Sequence, residues 1–200
     1  MNADWTTPPT LRGRHVSLEA LEPAHAGGLR AAAEDGRLWE LWYTNVPMPA
    51  EVDAWIASAL AMQADGDALA FVVRDANGRI VGTTRYYDLA PAIPRLQIGY
   101  TWYARSVQRT GLNTEAKLLL LGHAFEVLGC ASVGLQTSTR NAASRAAIAR
   151  LGAREEGILR HHLRHRDGSL RDTVNFSIID SEWPAVKAGL LRKLEGHADA

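Results

Sequence analysis

The rest of this chain is arranged around one stretch, Gln108-Arg109-Thr110-Gly111-Leu112-Asn113-Thr114-Glu115-Ala116-Lys117. A strand-like run at residues 96–103 precedes it, and a helix-like run follows it. A short polar turn between a strand and a helix leaves backbone N–H groups unpaired at the positive end of the helix dipole, where an anion can bind. Gly111 allows close approach to the backbone and tolerates positive φ. The pattern matches neither a Walker loop nor a dinucleotide-binding motif, so by itself it also fits an ordinary connection.

The composition describes a globular chain with balanced charge. It has 22 basic and 22 acidic residues, whereas nucleic-acid binding usually shows as a basic excess, so nucleic acid is not the expected partner. Cys130 is the sole cysteine, which excludes an internal disulfide framework and a cysteine-built metal site. Residues 1–14 lack a signal-peptide core, and no apolar run approaches the length of a membrane span. We expect a cytoplasmic protein that uses no metal and no membrane.

Hydrophobic periodicity predicts elements in the order β-α-α-β-β-β-α-β-α-β-β. The predicted strands are residues 11–18, 70–73, 80–87, 96–103, 132–137, 157–164 and 171–179. The predicted helices are residues 23–34, a segment after Pro49 with an apolar stripe to residue 60, the segment that the central stretch opens and Gly129 ends, and residues 141–151 and 183–194. A strand, a crossover helix and a strand imply a parallel pair. We predict one α/β domain over residues 1–200, with an extended leader at 1–10 and a frayed tail at 195–200.

The pattern Gln108-x-x-Gly111-x-Asn113 resembles the Q/R-x-x-G-x-G/A pyrophosphate loop of the GNAT superfamily, the acyl-CoA-dependent N-acyltransferases. The amino-acid sequence of the whole stretch is similar to that of the RimJ/RimL-like branch, the ribosomal-protein N-terminal acetyltransferases. Asn113 stands where the pattern has Gly or Ala, which we interpret as a branch variation. The element order also resembles the GNAT fold. This resemblance implies a mixed, mostly antiparallel sheet with a splayed parallel pair, helices on both faces, and acetyl-CoA as co-substrate.

A second motif opens the next predicted helix. Asn141-x-x-Ser144, followed by Leu151-Gly152-Ala153 and by Glu156-Gly157-x-Leu159-Arg160, resembles the branch motif N-x-x-S…LGF…EG-x-L-R. The resemblance implies that Asn141 contacts the pantetheine amide and that Ser144 protonates the coenzyme thiolate, although Asn141 also fits a plain helix cap. It further implies a backbone N–H within residues 100–103, released by a bulge, that polarises the thioester carbonyl. The implied cofactor-binding residues are Trp102, Gln108, Arg109, Thr110, Gly111, Leu112, Asn113, Thr114, Asn141 and Ser144.

The general base is the part of the family pattern that this sequence lacks. Gln97 and Leu163 occupy the positions where relatives carry carboxylates. Because an α-amino group near pKa 7.7–8.0 is neutral far more often at pH 7 than a lysine near 10.4, the absence favours an α-amine acceptor. Asp88, His161 or His162 could serve instead, although structural roles explain the histidines better than catalytic ones.

The acceptor is the least determined partner. Candidate contacts are Trp39, Trp42, Tyr43 and Tyr86, although Trp39 and Trp42 also fit a core helical turn. The arginine- and histidine-rich run at residues 154–171 fits a solvated hairpin, an acidic-peptide site or an RNA patch. We expect direct acetyl transfer to a primary amine in a ternary complex, by a monomer or homodimer. An acyl-CoA-binding regulatory module without turnover, and a small-molecule (antibiotic, toxin or polyamine) N-acetyltransferase, remain open alternatives.

Overall fold

The computed structural model describes residues 4–198, and the strands within this range form a single eight-stranded sheet. The strands are β1 (Leu11–Arg12), β2 (Val16–Ala20), β3 (Ala68–Asp75), β4 (Ile80–Ala90), β5 (Arg95–Tyr103), β6 (Ser132–Ser138), β7 (Arg154–Arg164) and β8 (Leu170–Ile179). The helices are α1 (Ala26–Glu34), α2 (Val52–Ala64), α3 (Leu112–Gly122), α4 (Ala142–Leu151) and α5 (Trp183–Ala198). None of the helices in the described range is both long and apolar enough to cross a bilayer.

The sheet order is β1-β2-β3-β4-β5-β6-β8-β7, and β5 with β6 is its parallel pair. The other neighbouring pairs run antiparallel. Pairing between β5 and β6 extends from Arg95↔Ser132 to Ile98↔Leu135, and no further pair joins these two strands within residues 4–198. The strands therefore separate toward their carboxyl ends. The predicted mixed sheet with a splayed parallel pair is confirmed.

Helices cover both faces of the sheet. The Tyr86 hydroxyl donates to the Leu120 carbonyl in α3 at 2.6 Å, whereas Arg85 Nη1 lies 3.3 Å from Met62 Sδ in α2. Because consecutive strand residues point to opposite faces, α2 and α3 lie on opposite sides of the sheet. The α1 helix packs with α2, and α5 packs against α3 and α4. The face covered by α1 and α2 is called here the α2 face, and the other the α3 face.

A β-bulge interrupts β5 just beyond the point where it leaves β6. Thr83 pairs with Trp102 and Arg85 pairs with Gly99, so Thr84 alone faces Tyr100 and Thr101. Tyr100 takes up the irregularity with a φ of 52°. An extra residue of this kind leaves part of the backbone outside the ladder. The bulge thus lies within the range where the sequence predicts a released N–H.

The predicted first strand, residues 11–18, is wrong in detail. A turn at residues 13–15 divides it into the antiparallel strands β1 and β2. The buried Glu115 carboxylate in α3 accepts hydrogen bonds from Arg14 N at 2.9 Å and His15 N at 2.5 Å. A Cβ at Gly13 would overlap that carboxyl group. A contact with a residue about 100 positions away therefore sets this turn, which no local pattern could indicate.

Boundaries elsewhere in the chain also differ from the predictions. The aromatic segment forms a 3-10 turn at Leu38–Glu40, so Trp42 lies outside it. The last turn before Gly129 is a π-helix at His123–Val127, and Gly129 ends it with a φ of 68°. Helix α5 continues to Ala198, so residues 195–198 are helical rather than frayed. Residues 1–3 of the predicted leader and 199–200 of the predicted tail lie outside the described residues.

Candidate active site

The turn between β5 and α3 presents a set of unpartnered backbone N–H groups. Within the described residues, five amides at this turn find no acceptor: those of Arg109, Thr110, Gly111, Asn113 and Thr114. They surround the N-terminus of α3, where the helix dipole favours negative charge. Such a cluster is suited to hold the oxygen atoms of a diphosphate.

Side chains within the turn hold it in shape. Gln108 Nε2 donates to the Tyr103 carbonyl at 2.9 Å, and the Gln108 N–H donates to Arg105 O. Thr110 Oγ1 donates to Val107 O at 2.8 Å and accepts from Leu112 N at 3.3 Å. The Gln108 side chain and the Leu112 N–H are thus used inside the protein. Both groups support the turn, and the assignment of Gln108 and Leu112 as coenzyme-binding residues stays a prediction.

The backbone conformation of the turn differs from the expectation at one position. Arg109 has a φ of 62°, whereas Gly111 has a φ of −65° and a ψ of −16°. The left-handed residue is thus Arg109, and Gly111 adopts a helical conformation open to any residue type. The absence of a side chain at Gly111, rather than a special φ, is its relevant property.

Helix α4 begins with the Asn141 and Ser144 pair. Asn141 Oδ1 accepts from Ser144 N at 3.0 Å and caps the helix. In the described part of the chain, Asn141 Nδ2 and Ser144 Oγ make no hydrogen bond. The cap therefore uses the amide oxygen and a main-chain N–H, and it leaves the amide N–H₂ and the hydroxyl available. The coenzyme roles of both residues stay a prediction.

A cavity of about 470 Å³ lies between the start of α2 and the β7–β8 hairpin. Trp55 on one wall has its ring 6.3 Å from that of Trp102 in β5. His165 on the other wall has Nε2 3.4 Å from Ser138 Oγ, at the end of β6. The two walls thus contact the two strands that separate. The cavity opens where the splayed pair ends.

The aromatic residues predicted to contact the acceptor fall into two groups. Trp42 packs edge-on against His165 with ring centroids 4.8 Å apart, and Tyr43 packs against Trp42 at 5.6 Å. Trp39 packs against the hydrophobic core. Tyr86 is fully buried on the α3 face, with its hydroxyl bonded to Leu120 O. The assignment of Tyr86 to the acceptor site is therefore wrong, because the cavity lies on the α2 face.

Comparison with protein families identifies the fold. The model described as "Acetyltransferase (GNAT) domain" matches residues 15–154. The chain belongs to the GNAT acetyltransferase family. A solved structure of a GCN5-related N-acetyltransferase from Brucella melitensis is 33% identical with a TM-score of 0.83, and the match covers 93% of this chain and 85% of that one.

Two further relatives bear on the branch of the family. Mycobacterium smegmatis RimJ, solved in complex with CoA-disulfide, is 26% identical with a TM-score of 0.79 over 93% of this chain and 95% of that one. The Bacillus subtilis (strain 168) protein named "Putative ribosomal N-acetyltransferase YdaF" is 32% identical over 111 residues, which is 56% of this chain. The match spans 60% of that curated relative. The predicted RimJ/RimL-like branch is confirmed by these relatives.

In this GNAT chain the predicted base candidates lie in unfavourable surroundings. Asp88 accepts from Arg95 Nη1 at 2.7 Å and from Gln97 Nε2 at 3.0 Å, and these bonds hold the pKa of Asp88 below its usual range. His161 and His162 are exposed. Sequence reasoning did not single out His165, which is buried and lines the cavity. Burial, with Arg171 nearby, lowers the pKa of His165 and favours its neutral form. In the sequence it is one of several histidines in a basic run, which conceals its burial.

A buried lysine, also missed from the sequence, supports the bulge of this GNAT chain. Lys117 Nζ in α3 donates to Thr101 Oγ1 at 3.0 Å, and that oxygen lies 2.7 Å from Thr84 Oγ1. Burial lowers the pKa of Lys117 to about 7. No ion pair of Lys117 is found within residues 4–198. In the sequence, the burial of Lys117 is indicated by its position in an apolar run, directly before four leucines.

Arg85 is the largest fully buried side chain, at 2% exposure. Its Cζ lies 4.4 Å from the Trp55 ring centroid and 4.2 Å from that of Tyr100. Its Nε has no hydrogen-bond partner among the described residues. Burial lowers the pKa of Arg85 to about 10. The guanidinium is thus held between two rings of the α2 face without a carboxylate partner in that range.

Proposed function

We propose that this protein transfers acetyl from acetyl-CoA to the α-amine of a peptide or protein N-terminus, directly in a ternary complex. The observation that carries the proposal is the set of five unpartnered N–H groups at the start of α3, next to strands that separate. The names of the relatives RimJ and YdaF agree with a ribosomal-protein acceptor. The cavity at the end of the splayed strands is open to solvent, as an incoming chain terminus requires.

Each reacting atom has a candidate partner in this chain. The five unpartnered amides at the start of α3 would hold the pyrophosphate, and the Asn141 amide would donate to the pantetheine. The amine attacks the thioester carbonyl, a C–N bond forms, and the C–S bond breaks. The amine loses one proton and the departing thiolate gains one, which Ser144 Oγ would deliver. A backbone N–H at the β5 bulge would stabilise the charge that develops on the carbonyl oxygen.

For the proton that leaves the amine, we assign His165 as acceptor. Its imidazole is buried in the cavity wall and its pKa is lowered, so it is neutral at pH 7. The cavity is also lined by the Glu51 carboxylate, which accepts hydrogen bonds from the Arg166 guanidinium and from Met48 N. Those bonds stabilise the Glu51 carboxylate and lower its pKa. A neutral imidazole is thus the better proton acceptor there.

The test combines binding and turnover. Calorimetry with acetyl-CoA measures the donor site, and free-thiol release measures transfer to N-terminal dipeptides, free lysine, polyamines and aminoglycosides at several pH values. We expect binding, and thiol release that is fastest with the dipeptides. Tight binding without release would instead support a regulatory module, and preference for an aminoglycoside or polyamine would support a small-molecule enzyme. A protein that binds no acetyl-CoA would contradict both the enzyme and the regulatory proposals.

A further inference from the structure

Three polar side chains at alternate positions of β8 each have a buried atom without a hydrogen-bond partner among the described residues. Arg171, Thr173 and Asn175 alternate along the strand and therefore point to one face of the sheet. Their atoms Nε, Oγ1 and Oδ1 are buried and make no hydrogen bond to any residue in the range 4–198. Folded proteins leave few buried polar atoms unsatisfied, so three adjacent ones require an explanation. A bound polar ligand would satisfy them.

The stripe of Arg171, Thr173 and Asn175 borders the region where β5 and β6 separate. Thr173 pairs with Ser138 and Asn175 with Gln136, both in β6 beyond its last pair with β5. The Arg171 guanidinium is desolvated, which lowers its pKa, while the nearby Tyr87 and Tyr100 hydroxyls act in the opposite direction. Tyr100 is the residue at the bulge. The stripe and the bulge thus approach one another.

Positive charge at this place is not neutralised by the protein. The Cζ atom of Arg85 lies 4.2 Å from the centroid of the Tyr100 ring, and Arg171 lies near the same tyrosine. Neither arginine forms an ion pair in the described part of the chain, whereas Arg166 pairs with Glu51 and Arg95 with Asp88. A buried cation without a counter-ion is costly, and an anion brought beside it recovers part of that cost.

We propose that Arg171, assisted by Thr173 and by the buried charge of Arg85, binds a carboxylate of the acceptor, while an N–H group of the acceptor donates to Asn175 Oδ1. The acceptor is then a peptide whose first or second residue is Asp or Glu. This inference rests on the proposed function and names its substrate class. Because an extended peptide advances about 3.3–3.6 Å per residue, a carboxylate bound beside Tyr100 belongs to the residues next to the reacting amine. An arginine fork with a neighbouring hydroxyl donor is suited to a carboxylate.

The kinetic experiment compares isosteric peptides. The pairs are Asp-Ala-Ala-amide with Asn-Ala-Ala-amide, and Ala-Asp-Ala-amide with Ala-Asn-Ala-amide. In at least one pair we expect the wild type to prefer the acidic peptide by about tenfold or more in kcat/KM, mainly through KM. Arg171→Gln should abolish that preference and leave the acetyl-CoA affinity unchanged. Arg192→Gln, at an exposed arginine of α5, is the matched control and should retain it.

Two more variants keep the test decisive if Arg171→Gln unfolds. Arg171→Lys retains the charge but loses the fork, so the preference should fall to an intermediate value. Thr173→Val retains the side-chain shape and removes Oγ1, so it should weaken the preference by a few-fold. Equal kcat/KM for the acidic and neutral peptides of both wild-type pairs would overturn the proposal. So would a preference that persists in Arg171→Gln.

A binding measurement separates this inference from the proposed function. Calorimetry of the CoA-loaded protein with N-acetylated forms of the same peptides requires no turnover. Tighter binding of the acetylated acidic peptides, lost in Arg171→Gln, supports the carboxylate site even if no thiol is released in the kinetic assay. Turnover without discrimination overturns the site and leaves the proposed function standing. Free aspartate that is acetylated in place of both acidic peptides would overturn the peptide assignment.

Discussion

The donor and acceptor sides of the splayed strands are built from different parts of the chain. On the donor side, main-chain N–H groups from residues 109–114 do most of the binding we propose, and they are contiguous. On the acceptor side, side chains of Trp55, Arg85, His165 and Arg171 come from α2, β4, the β7–β8 hairpin and β8. A main-chain site depends on the fold and on close approach. A side-chain site depends on which residues distant segments bring together.

The two sides also differ in electrostatics. The donor turn offers amide dipoles and a helix terminus. The acceptor side offers the buried guanidinium of Arg85 and the half-buried one of Arg171, neither with an ion-pair partner in the described range, and an imidazole whose pKa is lowered. Single substitutions should therefore have small effects on the donor side unless they block approach or remove a supporting residue. On the acceptor side, single substitutions should change rate, pH dependence or specificity.

The largest effect we expect is on stability, at the buried Lys117 of the donor helix α3. Its pKa falls from the usual 10.5 to about 7 in the folded protein. Between those pH values the unfolded chain binds the extra proton, so the free energy of unfolding rises with pH across this window. Lys117→Met should remove that rise, a difference of about 4 kcal/mol between pH 7 and pH 10. Urea titrations of both proteins at several pH values measure it.

If the free energy of unfolding changes with pH in the same way in the wild type and in Lys117→Met, the Lys117 pKa is not lowered. Lys187→Met is the matched control, because Lys187 is a partly exposed lysine that pairs with Glu126. It should leave the slope of stability against pH nearly unchanged. The Thr101–Thr84 contact remains in Lys117→Met, since it does not need the lysine.

On the acceptor side, His165→Gln should lower kcat by about a hundredfold, because a general base typically contributes at least that much. In the wild type, kcat/KM should fall in acid as the imidazole takes up a proton. Since the His165 pKa lies below the ordinary 6.5, the fall should begin at a more acidic pH. The variant should lose this limb of the pH profile. His162→Gln, at an exposed histidine of β7, should keep both the rate and the limb.

On the donor side, Gly111→Ala should weaken acetyl-CoA binding by about 2 kcal/mol, roughly thirtyfold. The reason is steric approach to the N–H groups, since the Gly111 φ of −65° suits alanine. Thermal stability should therefore change little, because alanine adopts this backbone conformation without strain. Asn113→Ala removes a side chain from the same turn and should change the dissociation constant little. Equal effects of the two variants in calorimetry would contradict a site built from main-chain groups.

The smallest effect separates the helix cap from the coenzyme contact at Asn141. Asn141→Asp keeps a capping oxygen for Ser144 N and removes the amide donor. Acetyl-CoA affinity should fall by about tenfold while the melting temperature is retained. Asn141→Ala should lose both, with about 1 kcal/mol of stability for the cap. An unchanged affinity in Asn141→Asp would assign Asn141 to the cap alone.

Local sequence signals predicted the backbone elements around the proposed donor side, because these elements are set by contiguous residues. The turn before α3, the cap of α4 and the parallel pair each follow from neighbouring residues and chain order. The acceptor side required contacts that no local pattern contains, such as Arg85 between Trp55 and Tyr100. Alternation along β4 could not tell which face meets the cavity, and this led to the wrong assignment of Tyr86. The division of residues 11–18 failed for the same reason, because Glu115 lies far away in sequence.

That contact has a practical meaning for the start of the chain. The Glu115 carboxylate accepts hydrogen bonds from the N–H groups of Arg14 and His15. The turn at residues 13–15 therefore holds the N-terminal end of α3 in place. Deleting the residues before Val16 would expose the Glu115 carboxylate, in the first turn of α3, to water. The N-terminal segment, although about 100 residues away in sequence, thus supports the helix that begins at the proposed coenzyme site. Fusion partners and truncations at that end should be judged by acetyl-CoA affinity as well as by yield.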